Sequence, residues 1–240
     1  MNKNASYEFL SKYYDEIMQN TRDYARLTQS LATLINERTK LLEIGVGTGL
    51  VVNHLLQINP QYEIWGIDNS ESLLEQAKSK FEAFNQVHLC LQDVSTLNLE
   101  QDFEVIYSRG GVMFFMAHDR EYLLGSHLLN RNDNLNALKR ITKHLQVSGL
   151  FILSSGRYPS YYEDELKDGI IFHRKSSPHT ENGQNYSMVD FSYTKNDSEN
   201  KQSYKIFLMS YEDYQELFAE AGLKPLRISD DGEYHIYQKC

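Results

Sequence analysis

The fold turns on one stretch, Lys40-Leu41-Leu42-Glu43-Ile44-Gly45-Val46-Gly47-Thr48-Gly49-Leu50. Lys40–Ile44 is a short apolar run that reads as a strand, and it ends in a glycine cluster. Leu50–Ile58 reads as a helix, stopped by Asn59 and Pro60. Glycines between a strand and a helix let the backbone take positive φ and approach a ligand closely. The same glycines serve merely to turn the chain, so the run needs support from elsewhere.

Two acids give that support. Glu63–Ile67 reads as a second strand ending at Asp68, 19 residues after Gly49, and Val87–Leu91 as a third ending at Asp93. A carboxylate at 68 can accept both hydroxyls of a ribose, and one at 93 can meet an adenine amino group. Either alone is also an ordinary helix cap. The glycine turn and both acids fall at the carboxyl ends of adjacent strands, where open α/β sheets bind ligands. Together they point to a nucleoside. The glycines alternate as G-x-G-x-G, unlike the G-x-G-x-x-G of dinucleotide sites. Glu43, two positions before Gly45, would repel a pyrophosphate and suits a cationic amino-acid end.

Further out, Ser70 is placed to cap a helix through Phe84, with Leu73, Leu74, Ala77, Phe81 and Phe84 on one face. Phe103–Tyr107 reads as a fourth strand and Leu150–Ser154 as a fifth. Between them lies a helix, Asp133–Gln146, with Gly149 just past its end as the left-handed residue. The alternation predicts a parallel, doubly wound sheet with helices on both faces. The first forty residues read as helices, with Tyr7, Leu10, Tyr14, Ile17 and Met18 on one stripe, so residues 1–39 form a helical cap. Ser108–Asn130 shows no period and reads as a long loop.

After Ser155 the rhythm changes. Ile170–Lys175, Tyr186–Thr194 and Tyr204–Met209 read as antiparallel strands in an insertion spanning 156–209, with turns at Glu181–Gly183 and Asn196–Asn200. Ser210 and Asp213 form a capping box for a helix ending at Gly222. Leu226–Ser229 and Tyr234–Gln238 then make a hairpin, so one of them runs antiparallel to the sheet.

The run Leu41–Leu50 resembles the first motif of class I S-adenosylmethionine-dependent methyltransferases, and the likeness extends over Lys40–Ser154 and Ser210–Lys239. It implies one methyltransferase domain over 1–240. Its fold would be a Rossmann-like, doubly wound α/β sheet of seven strands, in the order 3-2-1-4-5-7-6 with strand 7 antiparallel. It implies that Glu43, Gly45, Gly47 and Gly49 hold the methionine end of S-adenosylmethionine. Asp68 with Asn69 would hold the ribose, and Asp93 with the Val94 backbone the adenine. Ser108, and Arg109 beside it, would contact the methionine end, and Tyr13 or Tyr14 would close over the cofactor. Plain helix packing explains those tyrosines equally well. Where the family usually has Leu-Lys-Pro-Gly-Gly before strand five, Val147 and Ser148 replace the Pro and the first Gly.

Charge narrows the acceptor. Asp and Glu number 33 against 24 Lys and Arg, a net charge of −9, which argues against a grip on phosphate backbones. Ser108-Arg109-Gly110-Gly111 is also unlike the Asp/Asn-Pro-Pro-Tyr/Phe motif of adenine-modifying enzymes. Nucleic acid is therefore not the expected partner, and a small-molecule methyl acceptor is expected, through a hydroxyl, a carboxylate or an amine. His118 and His127 are candidate bases, although loop histidines are commonly surface residues. Arg109 suits a substrate carboxylate or an internal ion pair. Among the 17 tyrosines, Tyr158, Tyr161, Tyr162, Tyr186 and Tyr193 suit a substrate wall or simple β-propensity. Cys90 and Cys240 show no metal spacing, so no metal is expected. Met1–Leu10 has no apolar signal region and no run nears the ~20 residues of a membrane helix, so a cytoplasmic protein without a membrane partner is expected. A protein or peptide acceptor, and a non-catalytic sensor or scaffold that binds the nucleoside, remain as alternatives.

Overall fold

The computed structural model describes residues 10–118, 121–195 and 198–240. The elements are α1 (Tyr14–Thr21), α2 (Tyr24–Ile35), β1 (Lys40–Ile44), α3 (Leu50–Ile58), β2 (Glu63–Asp68), α4 (Glu71–Lys80), β3 (Val87–Leu91) and β4 (Phe103–Ser108). Then come β5 (Met113–His118), β6 (Glu121–Ser126), α5 (Arg131–His144), β7 (Leu145–Gly156), β8 (Tyr161–Leu166), β9 (Ile170–Glu181), β10 (Gln184–Lys195) and β11 (Ser198–Met209). The chain closes with α6 (Tyr211–Glu220), β12 (Leu223–Ile228) and β13 (Tyr234–Lys239).

β3, β2, β1, β4 and β7 pair in parallel, and β13 joins β7 antiparallel with β12 outside it. Numbered along this leaf alone, that is the expected order 3-2-1-4-5-7-6. The sheet does not stop at seven strands, however: it has thirteen among the described residues. The far end of β7 carries the extra leaf, since Ser155 and Gly156 pair with β5 while Leu145–Leu153 pair with β4. From β5 the order runs β6-β11-β10-β9-β8, every pair antiparallel.

The loop expected over Ser108–Asn130 is thus corrected to the β5–β6 hairpin. Its Met113-Phe114-Phe115-Met116 run has no alternation because both faces are covered. Phe115 stacks on His235 at 3.8 Å, while Phe114 packs against Tyr158 at 5.1 Å. Strand β8 was also unforeseen; its Tyr-Tyr-Glu-Asp-Glu-Leu sequence is too acidic to read as a strand, but it lies at the sheet edge, where charge is tolerated. The turn at Asn182–Gly183 has φ of 52° and 75°, as a tight hairpin requires. Of the other expected turn, Asn196–Asn200, the first two residues lie outside the described residues, as does Tyr7 of the first helical stripe, and Ser198–Asn200 belong to β11 instead.

Three helix boundaries differ from expectation. α4 ends at Lys80, and Phe84 is exposed, because Phe81 turns its ring beneath Gly49. α5 starts at Arg131, where Asn130 accepts from the Asp133 N–H, and ends at His144. The left-handed residue beyond it is Ser148 (φ 62°), not Gly149. Gly149 instead fits a tight bend, where a Cβ would stand 2.9 Å from the Gln146 carbonyl. The capping box at Ser210 and Asp213 forms as expected.

The first leaf is packed on both faces. One layer gathers Leu42, Ile44, Ile106 and Phe151 with α5 and α6; the other gathers Leu41, Ile64, Val105 and Ile152 with α2, α3 and α4. A third cluster joins Ile17 of α1, and Tyr13 just before it, to Phe172, Val189 and Ile206 of the second leaf. No described helix is long and apolar enough to cross a membrane.

His235 lies inside the core with its Nε2 unpaired, and burial lowers its pKa from 6.5 to about 4. A lowered folded pKa gives stability that is present above 6.5 and lost as pH falls towards 4. By pH 5 the loss is about 2 kcal/mol, from 1.36 kcal/mol per unit. Urea unfolding at pH 7.5 and pH 5 should show that extra loss in the wild type and not in His235→Phe. Equal pH slopes would contradict the burial argument.

Candidate active site

The glycine turn is built for two purposes. The N–H groups of Gly45 and Val46 both donate to the Ile67 carbonyl, at 2.8 and 3.0 Å, which ties the turn to β2. Gly45, Gly47 and Gly49 have φ of 76°, 55° and 75°. A Cβ on Gly45 would stand 2.7 Å from the Gly111 Cα, and one on Gly49 2.3 Å from the Phe81 ring. Those two glycines are demanded by packing. A Cβ on Gly47 would meet only the ring of Tyr14, at 3.7–3.9 Å. Gly47 therefore leaves a cradle between the turn and Tyr14 that any side chain would fill.

The acids surround this cradle. Asp68 accepts from Gly47 N at 2.7 Å and from Ser70 N at 2.8 Å, and burial raises its pKa against the pull of those bonds. Each carboxylate oxygen has a second lone pair, so acceptor capacity remains. Asp93 accepts from Ser95 N at 2.8 Å, and the Asn69 amide donates to its other oxygen at 3.4 Å, joining the ends of β2 and β3. Glu43 is buried and receives one hydrogen bond, from the Tyr107 hydroxyl at 3.2 Å. Burial pushes its pKa well above the usual carboxylate range, opposed by that bond and by the positive charge of Arg109. A cationic ligand group beside Glu43 would restore the ionised form.

Helix α1 forms the roof. Asp15 accepts from the Thr48 hydroxyl and pairs with Lys80 at 3.0 Å, and Lys80 also donates to the Thr48 carbonyl. On its other side α1 is tied to the second leaf: Asn20 donates to Asp164 at 2.7 Å and Lys167 N to Glu16 at 2.7 Å. Between the roof, the end of β4 and the second leaf lies a cavity of about 260 Å³. Tyr14, Arg109, Gly110 and His127 line it, with Tyr158, Tyr162, Phe172, Arg174, Phe191 and Tyr204 opposite.

The expected site residues divide accordingly. Glu43, Gly45, Gly47, Gly49, Asp68, Asn69 and Asp93 ring the glycine turn. Val94 has its side chain in the core, which leaves only its backbone to a ligand. Ser108 donates to the Ile44 carbonyl at 2.9 Å and is buried, so its hydroxyl braces β1 against β4. His127 and Arg109 line the cavity; His118 stands exposed at the hairpin tip and is not part of the lining. The internal ion pair weighed for Arg109 does not form among the described residues; its guanidinium lies over the rings of Tyr24 and Tyr234. Of the expected tyrosine wall, Tyr158 and Tyr162 line the cavity and Tyr161 is exposed.

Sequence reasoning missed Arg22, Arg157 and Arg174, which also line the cavity. A faint signal existed for the last: Ile170, Phe172 and Arg174 alternate onto one face, so an arginine stands where the pattern asks for an apolar residue.

Residues 41–149 match a family described as a methyltransferase domain. Residues 41–149 carry a methyltransferase domain. The domain is similar to a malonyl-[acyl-carrier protein] O-methyltransferase of Bacillus anthracis, 26% identical over 128 residues that cover 53% of this chain and 41% of that one. It is also similar to a carboxy-S-adenosyl-L-methionine synthase of Campylobacter hominis, 30% identical over 78 residues, 30% of this chain and 33% of that one. The chain thus spans half or less of the length of these curated relatives. Among solved structures, an S-adenosylmethionine-dependent methyltransferase from Clostridium acetobutylicum superposes with TM-score 0.69 at 16% identity, covering 98% of this chain and 99% of that one. An S-adenosylmethionine-bound amino pentose methyltransferase from Micromonospora echinaspora gives TM-score 0.69 at 17% identity over 95% and 96%. At such identities the likeness is one of fold. In both, the match runs beyond the methyltransferase domain's first leaf into the second.

Proposed function

We propose that this protein transfers the methyl group of S-adenosylmethionine to a small molecule seated in the cavity beneath α1. The supporting observation is that Tyr14 borders both compartments: its ring stands over Gly47 and also lines the cavity. The residues around the glycine turn fit the cofactor. Gly47 leaves the cradle, Glu43 would offer a buried carboxylate to an ammonium, Asp68 with Asn69 would hold the ribose hydroxyls, and Asp93 with the Val94 backbone would meet the adenine. When bound, the cofactor supplies an electrophilic methyl on a positively charged sulfur.

The protein's own part is positioning and proton handling. Fixing two reactants in line removes most of the entropic barrier of a bimolecular step. Tyr14 and α1 exclude water, and the second leaf, with residues 156–209 as its largest part, covers the acceptor. His127 is the one histidine lining the cavity, held by Phe114 at 6.1 Å and Tyr204 at 5.3 Å between ring centroids. It accepts the proton of a hydroxyl or ammonium acceptor. The acidic balance of the chain supports a small acceptor over nucleic acid, and a cytoplasmic location supplies the cofactor.

The test is turnover to S-adenosylhomocysteine with candidate acceptors. His127→Ala should retain S-adenosylhomocysteine affinity within about twofold and slow transfer by roughly 10²–10⁴, the usual share of a general base. Full activity in that variant would remove His127 from the mechanism. Binding without turnover on any acceptor would favour the sensor reading.

A further inference from the structure

The cavity under α1 has an unusual charge. The chain as a whole carries −9, yet the lining holds Arg22, Arg109, Arg157 and Arg174 and not one Asp or Glu. None of the four arginines has an ion-pair partner among the described residues. Arg174 donates to the Pro159 carbonyl at 3.1 Å, and Arg22 lies 4.6 Å from the Tyr158 ring centroid.

Arg109 is the most telling. It is only 7% exposed, and its Nε, Nη1 and Nη2 are all buried without a hydrogen-bond partner. Two aromatic faces hold it, Tyr24 at 5.7 Å and Tyr234 at 5.5 Å. Cation–π contacts contribute about 0.5–2 kcal/mol, but they use the face of the guanidinium and none of its five N–H donors. A buried cation with unmade hydrogen bonds costs several kcal/mol unless an anion completes it. The remaining lining is aromatic and aliphatic, from Phe114, Phe172 and Phe191 to Ile17 and Ile206.

We propose that the acceptor is an anion: a small molecule with a flat apolar body and a carboxylate or phosphate group that the arginines of this cavity clamp. Guanidinium binds both groups through paired N–H bonds, and the low-dielectric wall strengthens each bond. The inference rests on the methyltransferase reading only in calling the ligand an acceptor; the anion site itself stands on the cavity.

The test is a calorimetric titration of the full chain, with and without saturating S-adenosylhomocysteine, against benzoate, phenyl phosphate, benzamide and benzylamine. Benzoate or phenyl phosphate should bind at least tenfold more tightly than benzamide and weaken with added salt, and the stronger of the two identifies the group. Arg174→Gln should lower that affinity at least tenfold and leave S-adenosylhomocysteine affinity within about twofold. Arg109→Gln should also lower anion affinity at least tenfold, with its melting temperature measured alongside; should it fail to fold, Arg174→Gln decides alone. Benzamide or benzylamine binding as tightly as the anions would overturn the proposal. So would anion affinity unchanged in Arg174→Gln, or a loss in Arg109→Gln confined to S-adenosylhomocysteine. Absence of S-adenosylhomocysteine binding in the wild type would sink the methyltransferase reading instead, and the cofactor-free titration would still report on the anion site.

Discussion

Gly45→Ala is expected to destabilise the fold by about 3 kcal/mol or more, enough to threaten a domain of ordinary stability. Two costs combine. The residue has φ of 76°, and an L side chain there costs roughly 1–2 kcal/mol. The new Cβ also falls 2.7 Å from the Gly111 Cα, and a backbone atom cannot swing aside as a side chain does. Overpacking of this kind costs roughly 1–3 kcal/mol. The approach is tight from both sides, since a Cβ built on Gly111 would lie 2.5 Å from the Ile44 carbonyl and 3.1 Å from the Gly45 Cα. Gly47→Ala is the matched control. It shares the positive φ but meets only the Tyr14 ring at ordinary contact distance, so about 1–2 kcal/mol is expected. Chemical denaturation of both variants checks the contrast; equal losses would show that the Gly45–Gly111 contact does not matter.

The second large effect falls on binding. Asp68→Ala should weaken S-adenosylhomocysteine by a factor of about 100 or more. The carboxylate holds Gly47 N and Ser70 N, so its loss frees the turn at its centre and the first residues of α4 together. Each bond to a charged group is worth about 1.5–3 kcal/mol, and the ligand's hydroxyls lose their acceptor as well. Asp68→Asn keeps one oxygen acceptor and should fall between. If Asp68→Ala bound as the wild type does, the second strand's acid would have no part in the site.

Much of this was legible in the residues. The alternating glycines, the acids at 68 and 93 and the strand–helix rhythm pointed to a parallel first leaf, and the resemblance that those marks carry implied its strand order. The hairpin β5–β6 was not legible. Phe114 and Phe115 face opposite sides and both are buried, so the period-2 pattern vanishes. The seven-strand count fell short because β7 changes neighbours at its far end, where Ser155 and Gly156 pair with β5. At the site, glycine spacing could not tell which glycine packs and which opens; that depends on Gly111 and Phe81, remote in sequence. Arg22, Arg157 and Arg174 were hidden for a similar reason: they come from segments remote in sequence that join Arg109 around one cavity only in the folded chain.

The central claim is that the glycine turn holds S-adenosylmethionine. Calorimetric titration of the wild-type chain with S-adenosylhomocysteine tests it most directly. The prediction is saturable binding at about one site per chain, accompanied by a rise in melting temperature that grows with ligand concentration, as linkage requires. No binding heat and no shift of the melting temperature, even with ligand at millimolar concentration, would contradict it.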